Sequence, residues 1–167
     1  MKVLVTYLSQ TGNTKKVADA IFGEIKGDKE MKTLETTSDL NGYDLAFVGF
    51  PVWSSGPAEP AKKFLEAHAK GKKVALFVTH ATPPVPQMRE FLAGILANCK
   101  AAAAQAQLVG FFDCQGVLSE TVANMCTKSD NPMIKQFAAL RPSTIGHPDA
   151  AELEKARAFA KDIMKKA

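Results

Sequence analysis

The sequence predicts an α/β protein: a three-layer, doubly wound fold built on a five-stranded parallel sheet in the order 2-1-3-4-5. Short apolar runs alternate with amphipathic stretches along the whole chain, a pattern that implies right-handed βαβ crossovers. Several of those runs are nearly continuous in Val, Leu, Phe and Ala, as strands covered on both faces require. The 167 residues fit one domain, residues 1–167, and no repeat or low-complexity linker divides them.

The first strand is expected over Lys2–Leu8 and the first helix over Asn13–Lys26, with Val17, Ala18, Ile21, Phe22 and Ile25 on one stripe. Met31–Thr36 is shorter and more polar, which suits an edge strand. Asp44–Phe50 reads as the third strand. The helix after it is expected over Pro57–Ala69, opening on proline and turning Phe64 and Leu65 inward. Lys73–Thr79 is the fourth strand, and a helix near Pro86–Ala103 repeats Met88, Leu92, Ile95 and Cys99 at helical spacing. Leu108–Gln115 is the fifth strand. The less regular stretch 116–147 predicts two short helices, Glu120–Met125 and Pro132–Leu140, whose Met125, Met133 and Phe137 form either ordinary packing or an adaptable contact patch. The last helix begins around Pro148-Asp149 and ends in lysines.

Composition excludes several classes. The net charge is only +4, and the lysines fall in short groups such as Lys15-Lys16 and Lys62-Lys63, without the basic stripe and interleaved aromatics of a nucleic-acid binder. No run approaches the roughly 18 apolar residues of a membrane span. The N-terminus lacks the apolar core of a signal peptide, so a cytoplasmic protein is expected. Cys99, Cys114 and Cys126 are odd in number and far apart, which predicts free thiols in place of disulfides or structural zinc.

In an open parallel sheet, ligands bind beyond the carboxyl ends of the strands, where the strand order reverses. The loops after strands one, three and four therefore carry the interest. Ser9, Gln10, Thr11, Gly12, Asn13 and Thr14 crowd hydroxyl and amide groups into a strand-to-helix turn. They form either a capped helix start, with Thr11 or Asn13 as the cap, or a cradle for a phosphate. The run is neither a Walker A loop nor GxGxxG, so a terminal phosphomonoester fits better than a triphosphate or dinucleotide. Pro51, Val52, Trp53, Ser54, Ser55 and Gly56 hold the chain's one tryptophan. Trp53 either caps the core or offers a platform for a flat ring, and the Ser55–Gly56 peptide gains freedom if Gly56 takes a positive φ. Thr79, His80, Ala81 and Thr82 open a loop stiffened by Pro83, Pro84 and Pro86. There His80 is a surface group, a core-edge hydrogen bonder or a ligand contact.

Together these residues resemble the flavodoxin family. Ser9-Gln10-Thr11-Gly12-Asn13-Thr14 is similar to that family's phosphate loop, (S/T)-x-T-G-x-T, and stands directly after the first strand, with a Trp-bearing loop after the third. The resemblance implies non-covalent flavin mononucleotide (FMN) and an electron-transfer role with a redox partner protein. Residues 9–14 would hold the phosphate, residues 51–56 the ring with Trp53 against it, and residues 79–82 would lie near its other side. It also implies a backbone carbonyl near Ser55 or Gly56 that accepts from the reduced ring N5–H. An FMN-dependent oxidoreductase passing hydride from NAD(P)H to a quinone-type acceptor is the alternative.

Two departures stand out. Many flavodoxins carry a tyrosine in the loop after strand four, whereas the tyrosines here are Tyr7 and Tyr43. Typical flavodoxins are also strongly acidic, which steers them to basic partners. A chain of charge +4 is expected to use an acidic partner, an apolar docking surface or a small-molecule partner instead.

Overall fold

The computed structural model describes all 167 residues. Its central sheet follows the predicted order, with β1 (Val3–Tyr7), β2 (Lys29–Thr33), β3 (Leu45–Trp53), β5 (Lys73–His80) and β6 (Gln107–Gln115) all parallel as β2-β1-β3-β5-β6. A sixth strand, the two-residue β4 (Gly56–Pro57), folds back antiparallel on the end of β3.

Successive residues of the strands face opposite layers, so each strand feeds two cores. Val3, Val5, Phe47 and Phe77 pack beneath α1 (Asn13–Glu24) and α6 (Ala150–Lys166), against Ile21 and Ile163. Phe159 of α6 closes that layer, edge-on to Phe47 at 6.0 Å and stacked on Phe112 at 5.5 Å. Leu4, Val48, Phe50 and Leu76 pack on the other side beneath α2 (Glu59–His68) and α3 (Arg89–Ala101), against Phe64, Leu65 and Ile95.

Several boundaries move, among them the end of β3, which runs on to Trp53 instead of stopping at Phe50. Strand β2 occupies Lys29–Thr33, and Leu34–Thr36 form a 3-10 turn instead of continuing the strand. As an edge it is charged: Lys2 and Lys32 contact Glu30 at 2.7 and 2.8 Å, and the Tyr43 hydroxyl donates to it at 2.6 Å. Those bonds, Lys2 first, hold the Glu30 carboxyl down at about 2, and a charged edge resists pairing with another sheet. Pro57 belongs to β4 rather than to α2, which starts at Glu59. Pro86–Met88 form a 3-10 turn before α3.

The two short helices appear where predicted. Ser119 Oγ caps α4 (Glu120–Thr127) by accepting from Val122 N–H at 3.3 Å, and Asn131 Oδ1 caps α5 (Pro132–Ala139) by accepting from Met133 N–H at 2.9 Å. Asp149 and Glu152 form a reciprocal capping box at the start of α6. His147 joins it at 2.7 Å from Glu152, whose other oxygen accepts from Gln115 N–H at 3.2 Å. His147, Asp149 and Glu152 converge like metal ligands, but the helix start already engages these carboxylates. No helix is long and apolar enough to cross a membrane.

Candidate functional site

A cavity of about 830 Å³ opens at the carboxyl edge of the sheet and brings the three loops together. Its wall contains Gln10, Thr11, Asn13 and Thr14 from the loop after β1, Pro51, Val52, Trp53, Ser54 and Ser55 from the end of β3, and Thr79, His80, Ala81 and Thr82 from the end of β5. Ser9, Gly12 and Gly56 stand outside the wall.

At the phosphate-like end, the N-cap residue of α1 offers no side chain to the helix. The N-cap is Gly12, in the left-handed region at φ 86°, ψ −8°, a conformation glycine adopts without a Cβ penalty. Neither Thr11 nor Asn13 caps the helix. The helix's first amides therefore lack intrahelical partners at the positive end of its dipole, and no acidic side chain occupies the first turn. Ser9 Oγ accepts from Lys15 N–H at 3.2 Å, bracing the turn from behind. Lys15 pairs with Asp19 at 2.8 Å. Thr14 is buried, and its hydroxyl hydrogen-bonds that of Thr79 at 2.8 Å, tying the first loop to the end of β5. Asn13 Nδ2 donates to the Val117 carbonyl at 3.2 Å, and a Cβ on Gly116 would crowd that amide at 2.8 Å. The Asn13 and Thr14 amides, the neighbouring hydroxyls and the absence of negative charge together suit a phosphomonoester.

At the other end, Trp53 lies in the β3–β4 hairpin, paired with Gly56 across a two-residue turn. The positive φ falls on Ser54, at 56°, and not on Gly56, which is extended within β4. Sequence reasoning put the unusual backbone on glycine; the turn instead follows the II′ pattern, whose first central residue takes positive φ. The Ser55 carbonyl is already engaged, accepting from Asn98 Nδ2 of α3 at 2.8 Å. In this geometry it faces α3.

His80 is buried and ties the start of its own loop to strand β6. Its Nδ1 accepts from Thr82 N–H at 3.3 Å, which places the proton of the neutral ring on Nε2, 3.2 Å from Asp113 Oδ2. His80 thus shapes the wall through its neighbours, holding Thr82 close to the sheet.

Met88, Phe91 and Ile95 of the 3-10 turn and α3, together with Val117, Leu118 and residues of α4 and α5, complete the cavity. Met88 and Ile95 read as core positions from their spacing, because an apolar cavity wall and a helix core carry the same sequence signal. The wall contains no Lys, Arg, Asp or Glu.

Burial pushes the Cys99 and Cys114 thiols up to about 12, whereas Cys126 is half-buried and lies on the cavity wall. A folded-state pKa raised above the unfolded value near 8.5 means that the two buried thiols stabilise the fold below about pH 9. That contribution is lost as pH rises toward 12. A native thiol titration at pH 8 is expected to label Cys126 alone, and all three cysteines after unfolding; rapid labelling of Cys99 or Cys114 in the native protein would contradict their burial.

A profile of the flavodoxin domain matches residues 4–161, almost the whole chain. The chain belongs to the flavodoxin family. Among curated relatives, the flavodoxin-like domain-containing protein BilS of Clostridioides difficile is 32% identical over 177 residues, spanning 100% of this chain and 98% of BilS. A flavoprotein from Lactobacillus acidophilus, solved in complex with FMN, is 26% identical with a TM-score of 0.53 and covers 67% of this chain and 92% of its own. Flavodoxin 2 of Bacillus cereus, at 21% identity and a TM-score of 0.61 over 100% of both chains, shares the fold. Within this flavodoxin fold the cavity lies at the strand-order reversal between β1 and β3, where the crevice of a doubly wound sheet is expected.

Proposed function

We propose that this chain binds FMN non-covalently in the carboxyl-edge cavity and carries electrons to or from a redox partner protein. The observation that carries the reading is the joining, in one cavity, of a helix start led by Gly12 and rich in hydroxyls with the chain's one tryptophan. Membership of the flavodoxin family supports it, as does the FMN complex of the Lactobacillus relative.

Thr11, Asn13 and Thr14 with the first amides of α1 hold the phosphate, supported from behind by Ser9 and Gly12. Trp53 stacks on the ring, and Pro51, Val52, Ser54, Ser55 and Gly56 shape the hairpin that presents it. Thr79–Thr82 close the floor. FMN, when bound, supplies the electron chemistry, while the protein supplies affinity, orientation and exclusion of water. The chain's own work is then positional: Thr79 orients the Thr14 hydroxyl, His80 fixes Thr82, and Asn98 fixes the turn beside Trp53.

Purified protein is expected to be yellow, or to become so with added FMN, and to release FMN on unfolding. Protein that stays colourless in excess FMN would sink the reading. Rapid oxidation of NADPH by the isolated holoprotein with a quinone would replace the carrier role with the oxidoreductase one.

A further inference from the structure

We propose that the α4–α5 hairpin is the outer wall of the ring site, laying Val122, Met125, Met133 and Ile134 over the face of the flavin that Trp53 leaves open. The proposal rests on the FMN reading above and names the contacts that take the place of the missing tyrosine.

Large hydrophobic side chains are exposed at seven positions of the protein: Met1, Leu108, Val122, Met125, Met133, Ile134 and Ile145. Four of the seven lie on this one hairpin, and all four line the cavity that contains Trp53. Met125 is the most open of them, at 67%. Such a concentration marks a contact surface in place of chance exposure.

The cavity identifies the occupant. The hairpin's charged side chains, including Glu120, Lys128 and Lys135, stay off the wall, so nothing there recognises a charged partner. Beside the uncharged polar groups of Ser119, Ser129 and Asn131, this wall offers thioether and branched aliphatic groups, which suit the face of an uncharged aromatic ring. The same cavity continues to the Trp53 platform and the start of α1, so one ligand with a phosphate and a flat ring spans it. The hairpin is also anchored at its base. Leu118 N–H donates to Thr144 Oγ1 at 3.0 Å, and Arg141 Nε donates to the Leu118 carbonyl at 3.2 Å. Burial within the hairpin rests on small residues, Ala123 and Ala138, which leaves the larger apolar groups facing the cavity.

Cys126 makes the proposal measurable, because it sits beside Met125 on the same wall while the other two thiols are buried. Alkylation of Cys126 in the native protein is expected to slow roughly tenfold when FMN or riboflavin is added, consistent with coverage of a ligand-lined wall. The double variant Met125→Ser/Ile134→Ser is expected to bind FMN and riboflavin about tenfold more weakly, by the same factor for each, because the wall touches the ring and not the phosphate. Its apo thermal midpoint stays near that of the parent, since both side chains start exposed. Unchanged Cys126 labelling, or unchanged flavin affinity in the double variant, overturns the wall. Labelling that slows with protein concentration alone overturns it in favour of a second copy on this face. A parent protein that binds no FMN fails at the cofactor reading itself, a result distinct from either.

Discussion

Replacing Thr11 and Thr14 together by alanine is expected to weaken FMN roughly a hundredfold while leaving riboflavin within about threefold. The estimate takes each hydroxyl-to-phosphate hydrogen bond as worth about 1.5 kcal/mol, close to tenfold in affinity. Riboflavin lacks the phosphate, so its affinity isolates whatever the substitutions do to the rest of the site. The two single variants differ in meaning. Thr14 is buried and bonded to Thr79 at 2.8 Å, so Thr14→Ala also strands the Thr79 hydroxyl and is expected to lower stability by about 1–3 kcal/mol. Thr11→Ala has no such partner to strand, which makes it the cleaner probe of phosphate recognition. Titration of apo protein with both ligands by flavin fluorescence reads the ratio directly. Equal loss for the two ligands would show that this loop does not read the phosphate.

Gly49→Ala is expected to be the most damaging single-methyl change in the chain. A Cβ at Gly49 would overlap the ring of Phe77, which is fully buried on the neighbouring strand. The methyl cannot turn outward, because β3 is paired on both sides and packed on both faces. Overpacking of this kind costs about 3 kcal/mol, or a fall of roughly 6–12 °C in Tm for a domain of this size. Gly49 also accepts the Leu8 amide at 2.9 Å, just before the loop of hydroxyls. Flavin affinity is therefore expected to drop along with stability. Adding Phe77→Leu should recover part of the Tm, since the two sites share one volume. A Gly49→Ala protein that melts within 2 °C of the parent would mean that the ring can move aside.

Much of this architecture is legible in the residues because burial on both faces leaves little ambiguity. Val3–Tyr7 and Leu45–Phe50 are apolar runs that only a central strand explains, and their pairing order follows from the short βαβ crossovers. The strand-to-helix turn at residues 8–12 is legible for a similar reason, since Ser, Thr and Gly crowd between a buried strand and an amphipathic helix. The Ser54 backbone is not. Positive φ at a serine carries no compositional signal, and Gly56 nearby draws the expectation to itself. The hairpin return at Gly56–Pro57 carries no signal of its own, because proline there looks like a helix start. Asn98 was invisible because its role depends on α3 lying beside the β3–β4 turn, a matter of tertiary placement that helical spacing does not encode. The α4 and α5 helices are legible, but spacing alone does not distinguish packing from a contact patch for their apolar residues, several of which line the cavity.

The bond from Asn13 to the Val117 carbonyl spans 104 positions of the chain. The loop at residues 9–14 is therefore braced by a carbonyl made more than a hundred residues later. Strands β1, β2 and β3 can assemble from near neighbours, whereas this contact needs β5 and β6 in place first. A nascent chain therefore has its five parallel strands synthesised before the loop after β1 can gain this bond. Chains cut short before β6 carry the residues of that loop without the bond that holds Asn13.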